Sequence, residues 1–262
     1  FRNAYHGSTQ GALSIIGDEY WRNAFRPLLP GIDHYAYNDP AVLGNITHQT
    51  ACVIMETVQG EAGVIQPAPA WIKAVRERCT AVGALLVFDE IQAGFGRTGE
   101  LWGFMNFDVI PDIIVLGKAI GGGMPLGAFA TDRALMNLFS DNPVLGHITT
   151  FGGHPVSCAA GLAAFNALLS GAIVEDVRRK EEIFLDQLQH PSIRSIRSCG
   201  LWMAVEFESF EFNRKVIDRC ITEGVFVDWF LFASNCMRIS PPLTITDEEI
   251  MHACKVILAA IP

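Results

Sequence analysis

Hydrophobic positions along this chain come in two textures. Residues 52–56, 84–88, 113–116 and 127–131 are short runs that are apolar nearly throughout, with the length and β-branched content of buried strands. Over residues 69–82 the apolar positions recur at helical spacing instead, with Trp71, Val75 and Cys79 on one stripe. Strands apolar on both faces, linked by helices, predict a parallel sheet covered on both sides. In such sheets ligands sit beyond the carboxyl ends of the strands, and Glu56, Asp89 and Lys118 fall at three of those ends. Residues 155–189 predict two long helices, the first small and apolar, the second charged. After His190-Pro191 the texture shifts: strands over 192–197, 201–207 and 237–239 alternate with helices over 210–222 and 247–260. The predicted division is a large unit over residues 1–189 and a smaller α/β unit over 190–262. The opening Phe1-Arg2-Asn3-Ala4-Tyr5 reads as the edge of an element already under way, so a preceding segment is expected.

Composition narrows the function classes. Of 262 residues, 50% are hydrophobic and 18% charged, the balance of a globular chain with a large core. A net charge of −9 argues against nucleic acid as a partner, and the apolar runs are too short and interrupted for a membrane span. The seven cysteines are an odd count without CxxC spacing, and Cys52, Cys79, Cys158 and Cys254 fall within apolar patterns, which reads as buried free thiols in a reducing cytoplasm. No pair of histidines has HExxH spacing, so no zinc site is expected.

Lys118 stands apart from the other four lysines. Lys73, Lys180, Lys215 and Lys255 lie in stretches of helical period beside other charged or polar residues, the pattern of a solvated helix face. Lys118 follows the apolar run Ile113-Ile114-Val115-Leu116 and opens onto a glycine-rich turn, with no charged residue within five positions. A poorly solvated amine loses its proton more readily, and a neutral amine is what imine chemistry with a carbonyl requires. On this window alone, a lysine that snorkels from a strand end to water is an equal alternative.

Gly94-Phe95-Gly96-Arg97-Thr98-Gly99 matches the dinucleotide pattern G-x-G-x-x-G. That fingerprint belongs in a tight turn between strand and helix, whereas here Asp89-Glu90-Ile91-Gln92-Ala93 intervene and no long helix follows. An oxidoreductase is therefore the weaker reading. A P-loop fails at Lys118, because Asp112 stands where glycine is needed and Ala119 where serine or threonine is.

Four blocks occur in one order at compatible spacing. They are residues 56–64 (Glu-Thr-Val-Gln-Gly-Glu-Ala-Gly-Val), residues 88–99 (Phe-Asp-Glu-Ile-Gln-Ala-Gly-Phe-Gly-Arg-Thr-Gly), residues 116–123 (Leu-Gly-Lys-Ala-Ile-Gly-Gly-Gly) and residues 149–155 (Thr-Thr-Phe-Gly-Gly-His-Pro). Together they resemble the class III pyridoxal-phosphate-dependent aminotransferases, which include the acetylornithine, ornithine and 4-aminobutyrate enzymes. The resemblance runs from Tyr5-His6-Gly7 to Arg238 and Pro241-Pro242. It implies a fold-type I α/β architecture, with a mostly parallel sheet in the large domain and a smaller C-terminal α/β domain.

The resemblance also assigns roles. Lys118 matches the Schiff-base lysine, for which arginine is no substitute because guanidinium stays protonated. Asp89, 29 residues earlier (118 − 89), matches the carboxylate that faces the pyridine nitrogen of pyridoxal phosphate. Gln92 matches the hydrogen-bond donor to the cofactor's phenolic oxygen. Ile91 and Tyr5 match the residues on the two ring faces, with ordinary core packing as the alternative. Thr150 matches a threonine that reaches the phosphate from a neighbouring subunit, so a homodimer with a shared site is implied. Arg238 matches the arginine that binds a substrate carboxylate, and Glu61 the acid that pairs with it, with a structural salt bridge as the alternative.

Three positions depart from the family pattern. The ornithine and acetylornithine enzymes carry arginine after the aromatic-x-Gly element, and here that residue is Ser8. The usual Glu-Pro is Glu56-Thr57, and Gly-Gly-Asn-Pro is Gly152-Gly153-His154-Pro155. The implied activity is transfer of an amino group from an amine or amino acid to a 2-oxo acid such as 2-oxoglutarate. Decarboxylation or an aminomutase step on the same scaffold, and a truncated non-catalytic relative, stay open.

Overall fold

A computed structural model describes residues 1–144 and 148–262. Its first sheet contains β1 (Cys52–Glu56), β2 (Leu85–Asp89), β3 (Ile113–Leu116) and β4 (Ala128–Thr131), in that spatial order. Strands β1, β2 and β3 run parallel, whereas β4 runs antiparallel to β3. The reason is local: only the 3-10 turn Lys118–Gly121 and a short loop separate β3 from β4, too little chain for a parallel crossover. Coverage of the sheet stops there too, since β4 is largely exposed and Phe129 keeps 37% of its surface.

Helix Pro69–Val82 makes the crossover from β1 to β2. Proline at its first turn suits the missing N–H, and Gly83 ends it at φ 78°, where a side chain would be strained. Its Trp71, Ile72, Val75 and Cys79 are buried with Met55, Leu86 and Phe88 of the sheet in one core. At roughly 1.5–3 kcal/mol for each fully buried large side chain, that stripe outweighs the helix's own propensity.

The second sheet is antiparallel throughout. It contains β5 (Ser195–Ser198), β6 (Met203–Glu206), β7 (Asp228–Phe230) and β8 (Ala233–Ile239), in the order β5-β6-β8-β7. Helices Val177–Gln187, Phe210–Thr222 and Asp247–Ala260 contribute Phe184, Val216, Ile217, Ile250 and Ile257 to a second core with Met203, Val205 and Met237. The last helix opens on a capping box, in which Thr246 and Glu249 satisfy each other's backbone N–H. This second core draws Val177 and Leu188 from before residue 190. The opposite face of the sheet supplies Ala204, Phe230 and Cys236 to the first core, where the Trp202 indole lies so close to Gly60 that a Cβ there would collide.

Two expectations drawn from patterning change. Lys180 is not solvated: it is 8% exposed, its Nζ donates to Leu243 O at 2.9 Å, and it pairs with Asp176 at 3.2 Å. All seven cysteines are free, but Cys52 and Cys158 are exposed, because β1 starts at the sheet's rim and helix Pro155–Ser170 leaves most of its apolar surface open. No helix among the described residues is long and apolar enough to cross a membrane.

Candidate functional site

Parallel register brings Glu56 beside Asp89 at the ends of β1 and β2, and Asp89 beside Val115 of β3. Lys118 follows on the turn after β3. Its backbone is left-handed at φ 50°, after a fully extended Gly117, and the turn ends at Gly122 with φ 57°. A Cβ on Gly117 would meet Ile91 Cγ2 at 3.2 Å, and one on Gly122 would run into the carbonyl oxygen of Ala160. The turn is thus wedged between Ile91 and helix Pro155–Ser170. A lysine held in the left-handed region costs about 1 kcal/mol or more, the kind of strain concentrated at functional sites. Burial lowers its pKa, Asp89, Glu56 and Glu61 oppose the shift, and Arg238 adds to it, with a net lowering.

Asp89 is held at both oxygens. Ile91 N donates to Oδ1 at 3.0 Å, and His6 Nδ1 lies 2.8 Å from Oδ2. The opposite nitrogen, His6 Nε2, is buried and has no hydrogen-bond partner among the described residues. Glu56 anchors the same loop: Tyr5 N donates to its Oε1 and Gly60 N to its Oε2, both at 2.9 Å. Burial pushes its carboxyl up to about 8, against those two bonds.

Three cavities meet at Lys118; the largest, about 1220 Å³, also touches Ile91, Gln92, Asp228 and Arg238, and two smaller ones share part of that lining. The smallest, about 90 Å³, is walled by His6, Glu56, Asp89 and Ile91, and the other, about 470 Å³, by Glu61, Asp228, Leu231 and Arg238. Tyr5, Gln92 and Lys118 line both of these. Arg238 Nη1 donates to Glu61 Oε1 at 2.7 Å, while Leu231 N donates to Glu61 Oε2 at 3.0 Å. Seven of the eight residues singled out from sequence therefore surround one connected space. The eighth, Thr150, is exposed and lines none of the three cavities, and Ser8 is exposed as well.

The site brings together an amine whose pKa is lowered by burial, a carboxylate held at both oxygens and an arginine at the far wall. The sequence profile described as aminotransferase class-III matches residues 1–261, nearly the whole chain. The chain belongs to the class-III aminotransferase family. It is 40% identical over 266 aligned positions to a putrescine aminotransferase of Pectobacterium atrosepticum, covering 96% of this chain and 57% of that protein. Among solved structures, the ornithine aminotransferase of Toxoplasma gondii superposes with a TM-score of 0.91 at 32% identity, over 99% of this chain and 62% of that one. An amine transaminase from an uncultivated Pseudomonas species, solved with PLP bound, gives 0.85 at 28% identity, over 99% and 68%. The chain thus spans somewhat under two thirds of the length of the first relatives it matches. Its fold is that of the fold-type I PLP-dependent transferases.

In this class-III aminotransferase chain the glycine run of residues 94–99 is a joint between the two cores. Side chains at Gly94 and Gly96 would press on Trp102 and on Val174 and Leu243, and one at Gly99 would strike Arg178. Between them Arg97 Nη1 donates to Leu201 O and Pro241 O, both at 2.7 Å, and Leu201 N returns a bond to Arg97 O at 3.1 Å. The next element along the chain is the 3-10 turn Gly103–Phe107, so the run does not lead into an α-helix whose N-terminus could hold a pyrophosphate.

Two residues around the site escaped sequence reasoning. His6 carried a faint signal as the neighbour of Tyr5, while Glu56 was legible as an acid at a strand's carboxyl end. Asp228 had none, because the three-residue strand β7 that presents it lies in an aromatic stretch with no alternation.

Proposed function

We propose that this chain carries the cofactor half of a PLP-dependent aminotransferase that moves an amino group from an amine or amino acid to a 2-oxo acid, with 2-oxoglutarate the acceptor the resemblance implies. The observation that carries this reading is the convergence of Lys118, Asp89, Tyr5, Ile91 and Gln92 on connected cavities, with Asp89 fixed by His6 and Ile91 N. The residues present fit pyridoxal phosphate: burial lowers the pKa of the Lys118 amine, and the buried Asp89 is the kind of carboxylate a protonated ring nitrogen requires. When bound, the cofactor supplies an aldehyde that takes up amines and a ring that accepts the electron pair left by the departing α-proton.

Asp89 would hold the ring nitrogen's proton, Gln92 would donate to the phenolic oxygen, and Ile91 and Tyr5 would bracket the ring. Lys118 would hold the cofactor at its aldehyde, and its Nζ would accept and return a proton. Glu61 and Arg238 would face the far end of the substrate. Work in the reducing cytoplasm fits seven unpaired cysteines.

The chain's partner on this reading is a second copy of itself. Helix Pro155–Ser170 exposes Val156, Leu162 and Leu169, and neighbouring Phe151 is 79% exposed, an apolar face of the kind that marks an interface. Thr150 borders that face, away from the Lys118 cavities, as a phosphate contact reaching into the other subunit would.

Borohydride reduction of the full-length protein with pyridoxal phosphate, followed by peptide mapping, tests the proposal. A single reduced adduct on Lys118 is expected. An adduct on Lys73, Lys180, Lys215 or Lys255, or none, overturns it.

A further inference from the structure

Glu56 ends β1 opposite Asp89 and is buried, yet its carboxyl reaches two separate pieces of the site. Oε1 accepts from Tyr5 N and Oε2 from Gly60 N, both at 2.9 Å, and among the described residues these two N–H groups have no other acceptor. Tyr5 lines both of the smaller cavities. Gly60 opens the turn that presents Glu61 to Arg238: Gly63 N and Val64 N donate to Gly60 O at 2.9 and 3.2 Å, and Glu61 follows at once. Arg238 is clasped in turn by Asp228 from the facing strand, with Nε and Nη2 each 2.7 Å from a carboxylate oxygen. One carboxyl thus holds a residue of the Lys118 cavities at one end and the root of the Glu61–Arg238 pair at the other.

Neither anchor has slack. The Tyr37 hydroxyl, 3.0 Å from the carbonyl oxygens of both Glu56 and Thr57, fixes the backbone at the end of β1. Gly60 is seated between the carboxyl and the Trp202 indole, since a Cβ there would fall within van der Waals reach of Glu56 Oε2 and collide with the ring. The carboxyl is also unfavourably placed for stability alone. Burial opposes its ionisation, and the nearby charges of Asp89 and Glu61 oppose it further. A buried acid in a cavity, kept against that cost, marks a functional site.

We propose that Glu56 is a positioning residue of this site: its one carboxyl sets Tyr5 against the cofactor and Glu61 against Arg238 together, so that cofactor seating and substrate recognition respond to the same group. The inference rests on the aminotransferase reading above.

The test uses the full-length holoenzyme at a pH above the value of about 8 to which burial lifts Glu56, where the carboxylate is ionised. Glu56→Ala removes both acceptors, whereas Glu56→Gln keeps the size and one acceptor oxygen. Glu56→Ala should lower affinity for pyridoxal phosphate roughly tenfold, the worth of one hydrogen bond to a charged group, and raise the donor KM severalfold. Glu56→Gln should restore part of one or both. Because the effects act through Tyr5 and Glu61, the affinity loss should shrink to less than about twofold in a Tyr5→Leu background, and the KM rise should vanish in a Glu61→Ala background. Undiminished effects in both backgrounds, or an unchanged affinity and KM in Glu56→Ala, overturn the inference. Amide hydrogen exchange in the wild type decides the same point without a variant. Gly60 lines none of the three cavities, so its N–H should slow together with that of Tyr5 when pyridoxal phosphate is added only if Glu56 couples them. Slowing at Tyr5 without slowing at Gly60 overturns the coupling. Absence of the Lys118 adduct from the wild type would instead sink the aminotransferase reading.

Discussion

His6 Nδ1 lies 2.8 Å from Asp89 Oδ2 across 83 residues of sequence, with both side chains buried. The imidazole and the backbone N–H of Ile91 hold the carboxylate from two directions, so the acid at the end of β2 has one orientation available. An acid that must face a ring nitrogen gains from that restraint, because the entropy of positioning is lost on folding and not on binding.

Replacing His6 with Ala should therefore weaken the site without removing its chemistry. Loss of one hydrogen bond to a charged group is worth about 1.5–3 kcal/mol, so affinity for pyridoxal phosphate should fall roughly 10- to 100-fold while the borohydride adduct stays on Lys118. Absorbance titration with the cofactor measures it. An unchanged affinity would show that Asp89 is oriented without the imidazole.

Stability should decline as the solution becomes alkaline. Burial raises the Glu56 carboxyl from 4.5 to about 8 and the Glu90 carboxyl from 4.5 to about 7, the latter while accepting from Thr57 Oγ1, Gly103 N and Phe104 N. A carboxyl whose folded value is raised binds more protons folded than unfolded, so stability is highest below the unfolded value and is lost as pH climbs through the folded one. Melting temperature should fall across that window, and a Glu56→Gln variant should show a shallower slope. A melting temperature that rises over the same range would contradict the assignment.

The seat of the Lys118 turn is sensitive to a single methyl group. Gly122→Ala puts a side chain at φ 57° and drives its Cβ into Ala160 O, so the turn and helix Pro155–Ser170 must separate. A loss of about 1–3 kcal/mol in urea denaturation is expected, with slower adduct formation at Lys118. Gly123, whose Cβ would meet nothing within 4 Å but whose φ is 93°, is a control for backbone strain alone.

Arg97 joins the loop after Asp89 to the segment after Arg238. Arg97→Ala removes both bonds from Nη1 and leaves the carbonyls of Leu201 and Pro241 without that donor. Destabilisation by about 2 kcal/mol or more is expected. Because Pro241 lies three residues beyond Arg238, KM for donor and acceptor should rise while the Lys118 adduct still forms. An effect on adduct formation equal to that on KM would place Arg97 with the cofactor instead.

The sequence by itself determined the pieces whose information is local. Continuous apolar runs ending in a lone polar residue marked β1, β2 and β3 with Glu56, Asp89 and Lys118 at their ends, and helical period marked Pro69–Val82, Phe210–Thr222 and Asp247–Ala260 to the residue. Those signals survive because the period of buried positions is set by backbone geometry within one element. Only tertiary structure decided what meets what. The antiparallel turn-back of β4, the burial of Lys180 against Leu243, the His6–Asp89 contact and the clasp of Asp228 on Arg238 depend on register and packing between separated segments. Nothing in a local window records them, because an ion pair between facing strands is specified by the pairing of the strands and not by the residues that flank either charge.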